Sequence, residues 1–395
     1  MEFLGYERPD GSVGVRNKVL VMSSVFCTGP IPERVESLVK NVVGVRYDRC
    51  VCDDVTMKQL EGVGKNPNVA AVLIVGHEAG GVNPHSLADR ISRSGKPVEC
   101  ITVRESGGTI STLARATGIA HRLAIECSKV RIKSFDIDNL IIGVKCGCSD
   151  STSGIASNPA VGVAVDKLIK NGGTAIFGEP LECAGCESIL AKRAINTNVG
   201  QSTIEAISNM ISIFNERSRK GAEHLAANRK SYTTTAMSPG NVDGGLTTIE
   251  EKSLGAIQKS GSMPIQGVLK TAEKPQGKGL YFMPNIGIIG TDTGDIYGFV
   301  AGGAQIVVFS TGMGPGFGNA ISPVIKVTGN PDTYMKMKDN IDVNAGTIID
   351  GRESIHEVGE KIFQEIIDVA SGKFTKSEAL KFEEFYLLMD YNTLF

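Results

Sequence analysis

Residues 140–177 read LIIGVKCGCSDSTSGIASNPAVGVAVDKLIKNGGTAIF. Leu140 to Val144 is a short, apolar, β-branched run. Ala160 to Asn171 carries helical spacing, and Thr174 to Phe177 is apolar again. Strand, small-residue turn, helix, strand is the signature of a βαβ unit, whose two strands run parallel. Upstream the same alternation recurs. Lys18–Val25, Asn68–Val75 and Pro97–Val103 read as strands, and Pro30–Val42, Ser86–Ser94 and Thr109–Cys127 read as helices. Downstream, residues 200–228 read as one long helical stretch. Residues 230–245 (KSYTTTAMSPGNVDGG) read as a polar loop, Gln305–Ser310 as a strand and Ile355–Ala370 as an amphipathic helix. The order predicts an α/β protein in two parts, a parallel-sheet domain over residues 1–135 and a larger α/β domain over 136–395.

Composition agrees. At roughly 150 residues per domain, 395 residues suggest two or three domains. Lys plus Arg is 41 and Asp plus Glu 43, a net charge of −2 that argues against a nucleic-acid partner. No apolar run approaches the ~20 residues of a membrane helix, and the opening MEFLGYERPDGSVGVRN has no signal-peptide core, so a cytoplasmic location is expected. Glycine, at 47 residues, exceeds the average usage of about 7%. The glycines follow apolar runs, where a strand turns sharply into a loop. Nine cysteines in such a chain read first as metal ligands or catalytic groups.

Three clusters could carry chemistry. The first, KCGCSDSTSGIASNP (145–159), lies between a strand and a helix start. There Ser149, Asp150, Ser153 and Asn158 form a ready anion or substrate site, and Cys146 and Cys148 are potential metal ligands. The second, GEPLECAGCE (178–187), brings Glu179, Glu182 and the CxxC pair Cys183 and Cys186 to a second strand end. Adjacent parallel strands end on one edge, so the two loops should meet and could offer four thiolates. An iron–sulfur cluster, a mononuclear iron or zinc site, and unligated cysteines beside a carboxylate-held metal all remain open. The third, FSTGMGPGFGNAISPVIKVTGN (309–330) with MKDNIDVNAG after it, holds Lys326, Asn340 and Asn344 in a glycine-rich setting. It lacks the βαβ context of a dinucleotide fingerprint.

At these clusters the chain resembles the large subunit of the altronate/galactarate dehydratase family, which includes the large subunit of sulfolactate sulfo-lyase. The blocks GYERPDGSVGVRN, KCGCSDSTSGIASNPAVGVAVDKL, PGNVDGGLTTIEEKSLGAIQKSG and VIKVTGNPDTYMKMKDNIDVNAG carry the resemblance over nearly the whole chain. It implies an α/β domain followed by a larger catalytic α/β domain of unusual topology. It further implies iron as cofactor (Fe²⁺ or a cluster), a separate small SAF-type subunit, self-association, and a sugar acid or related small hydroxy acid as substrate. Where the family usually reads KCGGSD, this chain has Cys148, and where it usually reads Ala-Glu-His, this chain has Cys186-Glu187-Ser188.

Dehydration of a sugar acid removes a proton beside a carboxylate and expels a β-hydroxyl. It needs a tuned base, charge stabilisation of the enediolate, and an acid or Lewis acid for the leaving group. Glu179 and Glu182 are the candidate base or ligands, and Lys252 or Lys326 a candidate holder of the substrate carboxylate. Two readings stand beside this one, a sulfo-lyase that expels sulfite and a non-catalytic metal-binding partner subunit.

Overall fold

The computed structural model describes residues 1–78, 80–226, 237–285 and 292–384. The first seven strands are β1 (Glu2–Glu7), β2 (Val13–Gly14), β3 (Lys18–Ser23), β4 (Val42–Val45), β5 (Val69–Gly76), β6 (Val98–Thr102) and β7 (Lys133–Asp136). They form an antiparallel sheet, β2-β1-β7, and a parallel one, β4-β3-β5-β6. The next seven are β8 (Ile141–Gly147), β9 (Thr174–Phe177), β10 (Ile265–Val268), β11 (Gly279–Phe282), β12 (Ile306–Thr311), β13 (Val324–Thr328) and β14 (Val343–Asn344). They make one parallel sheet in the order β10-β11-β9-β8-β12-β13-β14.

Strands covered on both faces need apolar residues at every position, and β5 (VAAVLIVG) and β12 are buried along their whole length. Helices Asn158–Lys170 and Ile355–Ala370 cover one face of the large sheet. The second is started by a Ser354–Glu357 capping box. Gly359 lets the two helices touch, since a Cβ there would lie 2.5 Å from Val163. The other face is shared. Leu20, Met22, Val72 and Ile74 of the four-stranded sheet form one core with Ile296, Val300, Val307 and Phe309.

The expected α/β class and its central βαβ unit are present. The chain start adds something the reading did not contain: β1 pairs with β7, and Phe3, Val13 and Val15 sit in the core of the seven-stranded sheet. Of the loop expected at 230–245, residues 230–236 lie outside the described residues. Residues Pro239–Asp243 are a short helix rather than loop, because Ser238 and Asn241 cap it reciprocally. β8 runs past Val144 because Lys145, Cys146 and Gly147 keep register with Phe309, Ser310 and Thr311. Among the described residues no helix is long and apolar enough to cross a membrane.

From β8 the chain builds β9, β11 and β10 on one side, then returns to lay β12 on the other. The β8/β12 junction is therefore the switch point of the sheet, and ligands in open α/β sheets bind outside the carboxyl ends of the strands there.

Candidate active site

Lys145 and Cys146 lie just before Gly147, the last residue of β8, and by strand alternation leave the strand on opposite sides. Glu179 follows β9 in a left-handed conformation (φ 67°, ψ 61°), a strained position for a non-glycine residue. This turns its carboxylate back over the end of β8. One oxygen pairs with Lys145 Nζ; the other accepts from Cys146 N at 3.1 Å and pairs with Lys259 Nζ at 2.9 Å. Glu182, one turn on, accepts the Cys146 thiol at 3.0 Å and pairs with Lys252 at 3.0 Å. Lys259 Nζ also lies 3.1 Å from Cys146 Sγ, and Asp295 Oδ2 lies 3.6 Å from Lys145 Nζ. Lys252 and Lys259 come from helix Ile249–Ala256 and the turn after it, and Asp295 from helix Asp292–Ala301.

The side chains of Lys145, Glu179 and Lys259 are 4%, 3% and 2% exposed, whereas Glu182 is 14% exposed. Three ammoniums (Lys145, Lys252, Lys259) thus face three carboxylates (Glu179, Glu182, Asp295) where solvent screens little. Burial and the neighbouring Glu182 push the Glu179 carboxyl up to about 7. Burial would raise Glu182 too, but Lys252, Lys145 and Lys259 outweigh it and hold that carboxyl below the usual range. Two carboxylates this close titrate as a pair. Burial, Glu179 and Glu182 push the Cys146 thiol well up, so it stands as a neutral donor. Burial opposes the charge of Lys259, yet Cys146, Glu179 and Glu182 keep its pKa above the ordinary lysine value.

Among the described residues, one group of three side chains is arranged to hold a metal. Its members are Cys146, Glu179 and Glu182, with ligand atoms within 4.8 Å of one another. A thiol and two carboxylates suit a divalent transition metal with an open position. The ammonium of Lys259 rests against two of the three donors, so a metal bound there would have to displace it from Cys146 and Glu179. Binding would require loss of the Cys146 proton.

Of the four cysteines expected to bind metal, the group of three contains Cys146 alone. Cys146 meets two glutamates instead. Cys148 sits at φ 48°, its carbonyl accepting from Gly312 and Met313. Cys183 and Cys186 are buried with Phe177, Leu190 and Ile207, and Cys183 also lies near enough to Lys259, Glu179 and Glu182 for their charges to act on its thiol. Lys252 is in the cluster as expected, and Lys326 is not. Lys326 shares a sheet row with Lys145, but Phe309 stands between them. Its ammonium donates to the Phe317 carbonyl at 2.7 Å.

Burial lowers the pKa of Lys326 to about 8. Between about pH 8 and the ordinary lysine value the unfolded chain therefore binds more protons, and stability rises with pH across that window. Lys326→Met is expected to abolish this rise, on the order of 3 kcal/mol, as read by denaturant unfolding at pH 7.5 and 10. Equal pH dependence in parent and variant would remove Lys326 as its source.

Asp150, expected to bind substrate, is fully engaged. It accepts from Thr152, Ser153 and, at 2.8 Å, Asn330, and Gly312 leaves space for it. It ties the loop after β8 to the loop after β13. The Ser149 carbonyl accepts from Asn241, whose other amide atom accepts from Lys252 at 3.1 Å. Ser153 is buried beside Asp150, and Asn158 donates to the Gly255 carbonyl at 3.0 Å. Asn340 and Asn344 lie toward the β14 edge, where Asn344 accepts from Gly346; neither is in the cluster. Lys145, Lys259, Asn241 and Asp295 were not chosen from the sequence. Lys145, Asn241 and Lys259 do lie in the blocks that carry the family resemblance, and Asp295 lies in none of them.

A family model described as D-galactarate/altronate dehydratase, C-terminal, matches residues 137–393. A second, described as D-galactarate dehydratase/altronate hydrolase, second domain, matches residues 5–128. The chain belongs to the galactarate/altronate dehydratase family. Within it, the (2R)-sulfolactate sulfo-lyase subunit beta of Chromohalobacter salexigens is 35% identical, over 99% of this chain and 98% of its own. The galactarate dehydratase (L-threo-forming) of Escherichia coli is 30% identical over 94% of this chain and 73% of its own. The altronate dehydratase of Bacillus subtilis is 30% identical over 97% and 76%. These galactarate/altronate dehydratase relatives are all lyases by name.

Proposed function

We propose that this chain is the catalytic subunit of a hydro-lyase that removes the proton beside the carboxylate of a small hydroxy acid and expels its β-hydroxyl. The observation that carries this reading is the buried Glu179–Glu182 pair, held among three lysines and one thiol at the carboxyl ends of β8 and β9. A carboxylate pair with proton affinity near neutrality suits abstraction of a weakly acidic C–H proton. Glu182, the more exposed member, meets the substrate, and Glu179 keeps the shared proton inside the cluster. Lys252 binds the substrate carboxylate and faces the negative charge that grows on it as the proton leaves. If Cys146, Glu179 and Glu182 held a divalent metal, Fe²⁺ by family analogy, it would supply Lewis acidity for the departing hydroxide, and the two carboxylates would then serve as its ligands rather than as the base. The working enzyme on this reading includes a separate small subunit of SAF type and self-associates; the relative named as a subunit beta supports the presence of a partner subunit.

A second reading, in which sulfite leaves in place of hydroxide, is favoured by the nearly full-length likeness to the sulfo-lyase subunit. Both leave an enol that becomes a 2-oxo acid. The test incubates the anaerobically purified protein, with its small subunit, with altronate, galactarate and (2R)-sulfolactate in D₂O. A 2-oxo acid carrying one solvent deuterium and no sulfite is the expected result. Sulfite release would install the second reading. Absence of turnover on all three would overturn both. In parallel, one equivalent of divalent metal per chain is expected, falling at least tenfold in Cys146→Ser with an unchanged circular-dichroism spectrum.

A further inference from the structure

The turn Ile257–Ser260 delivers Lys259 to the cluster and is itself held in place. It packs on helix Asn158–Lys170, where only glycine fits at position 162: a Cβ there would lie 2.2 Å from the Gln258 carbonyl oxygen. Just beyond the turn, Asp166 Oδ1 of the same helix accepts from Ser262 N at 2.7 Å. With the backbone fixed on both sides, the ammonium can leave the cluster by rotation of its side chain alone.

The Lys259 side chain is 2% exposed. Its three N–H donors are directed at Cys146 Sγ at 3.1 Å, Glu179 Oε2 at 2.9 Å and the Ala256 carbonyl at 3.2 Å. Cys146 and Glu179 are two of the three residues arranged to hold a metal. A metal bonds thiolate sulfur and carboxylate oxygen at about 2.0–2.3 Å. Metal and ammonium therefore draw on the same lone pairs, as two cations side by side where solvent screens little.

Charge argues the same way. The ammoniums of Lys145, Lys252 and Lys259 balance the carboxylates of Glu179, Glu182 and Asp295, with the Cys146 thiol neutral. A divalent ion adds two positive charges, and its binding removes one proton from Cys146. The same set would then carry one positive charge in excess. That excess disappears when Lys259 withdraws.

We infer that Lys259 is the resident cation of this site: Cys146 and Glu179 hold its ammonium until a metal enters, and metal loading is an exchange of that ammonium for the ion. The inference rests on the metal-binding part of the reading above and not on which group leaves the substrate. The two uses of Glu179 and Glu182, as base and as ligands, then belong to two occupancies of one site.

The test titrates Zn²⁺ by calorimetry into anaerobic, chelator-treated protein at one fixed pH, and follows Co²⁺ by its thiolate charge-transfer absorption. Lys259→Met is expected to bind both ions about tenfold or more tighter than the parent, because its charges balance with the metal in place. Lys259→Arg keeps the charge and should bind neither ion more tightly than the parent. Lys252→Met removes the same charge from a residue that pairs with Glu182 alone of the three ligands, so its gain should be smaller by about threefold or more. Zn²⁺ should also raise the melting temperature of Lys259→Met by more than that of the parent, since it supplies the counter-charge the substitution removed. Where Lys259→Met does not fold without metal, Zn²⁺ in the refolding buffer should restore the parent's circular-dichroism spectrum. A chain that stays unfolded with Zn²⁺ present would overturn the inference. Equal affinity in parent and Lys259→Met, or an equal gain in Lys252→Met, would overturn it too and leave the ligand set standing. Binding of neither ion by parent or variants would remove the metal from the reading above together with the exchange, and Glu179 and Glu182 would remain as the base. Turnover enters none of these readouts, so the lyase reading stands or fails separately.

Discussion

Glu182→Gln is expected to lower kcat/KM by about 10³-fold, within the 10²–10⁴ range a positioned general base supplies, while the fold stays intact. The amide keeps the size and shape of the side chain and removes its charge and basicity. Glu182 is the more exposed member of the pair, and its partner Lys252 lines a cavity of about 340 Å³ that can admit water beside a released ammonium. The loss should fall mainly on kcat, because the proton acceptor matters more in the transition state than in the bound ground state. Steady-state kinetics with a thermal melt on the same preparation checks this. A variant within a few-fold of the parent would take Glu182 out of the chemistry.

The meeting of the two loops could be read from the sequence because it follows from strand direction alone. β8 and β9 are parallel neighbours, so the segments after them share an edge, and Cys146 meets Glu179 and Glu182 there. Which side chains meet was not legible. Cys183 and Cys186 lie in a single helical turn and at the start of a six-residue helix, elements too short for periodicity to assign a face. They turn into the core. Glu179 reaches back over β8 through a left-handed backbone that nothing in GEPLEC announces, since glycine, not glutamate, is the usual marker of that conformation. Lys259 lies 113 residues from Cys146, and a lone lysine in IQKSG gives no sign of such a contact. Lys326 is eligible in the sequence as a cation in a glycine-rich stretch, but it lies in the middle of β13. The register places it two strands from Lys145, with Phe309 between.

The largest stability effect is expected at Glu179, the hub of the cluster. It pairs with Lys145 and Lys259 and accepts a backbone N–H, with all three side chains under 5% exposed. Glu179→Gln removes the counter-charge and leaves two ammoniums in a low-dielectric site with Asp295 3.6 Å from one of them. Breaking a buried pair from one side costs about 3–5 kcal/mol, because the remaining charge has lost its solvent without recompense. Lys259→Met should cost a similar amount for the opposite reason, stranding Glu179 beside Glu182. Removing both at once restores neutrality between the two positions, so Glu179→Gln/Lys259→Met should be destabilised by less than the sum of the singles. The non-additivity is expected at about 1–3 kcal/mol. Denaturant unfolding of the four proteins at pH 8.5, above the value of about 7 at which Glu179 ionises, measures the cycle. Simple additivity would mean that the two side chains act independently, each compensated by other neighbours, and that the lysines around Glu179 are not one electrostatic unit.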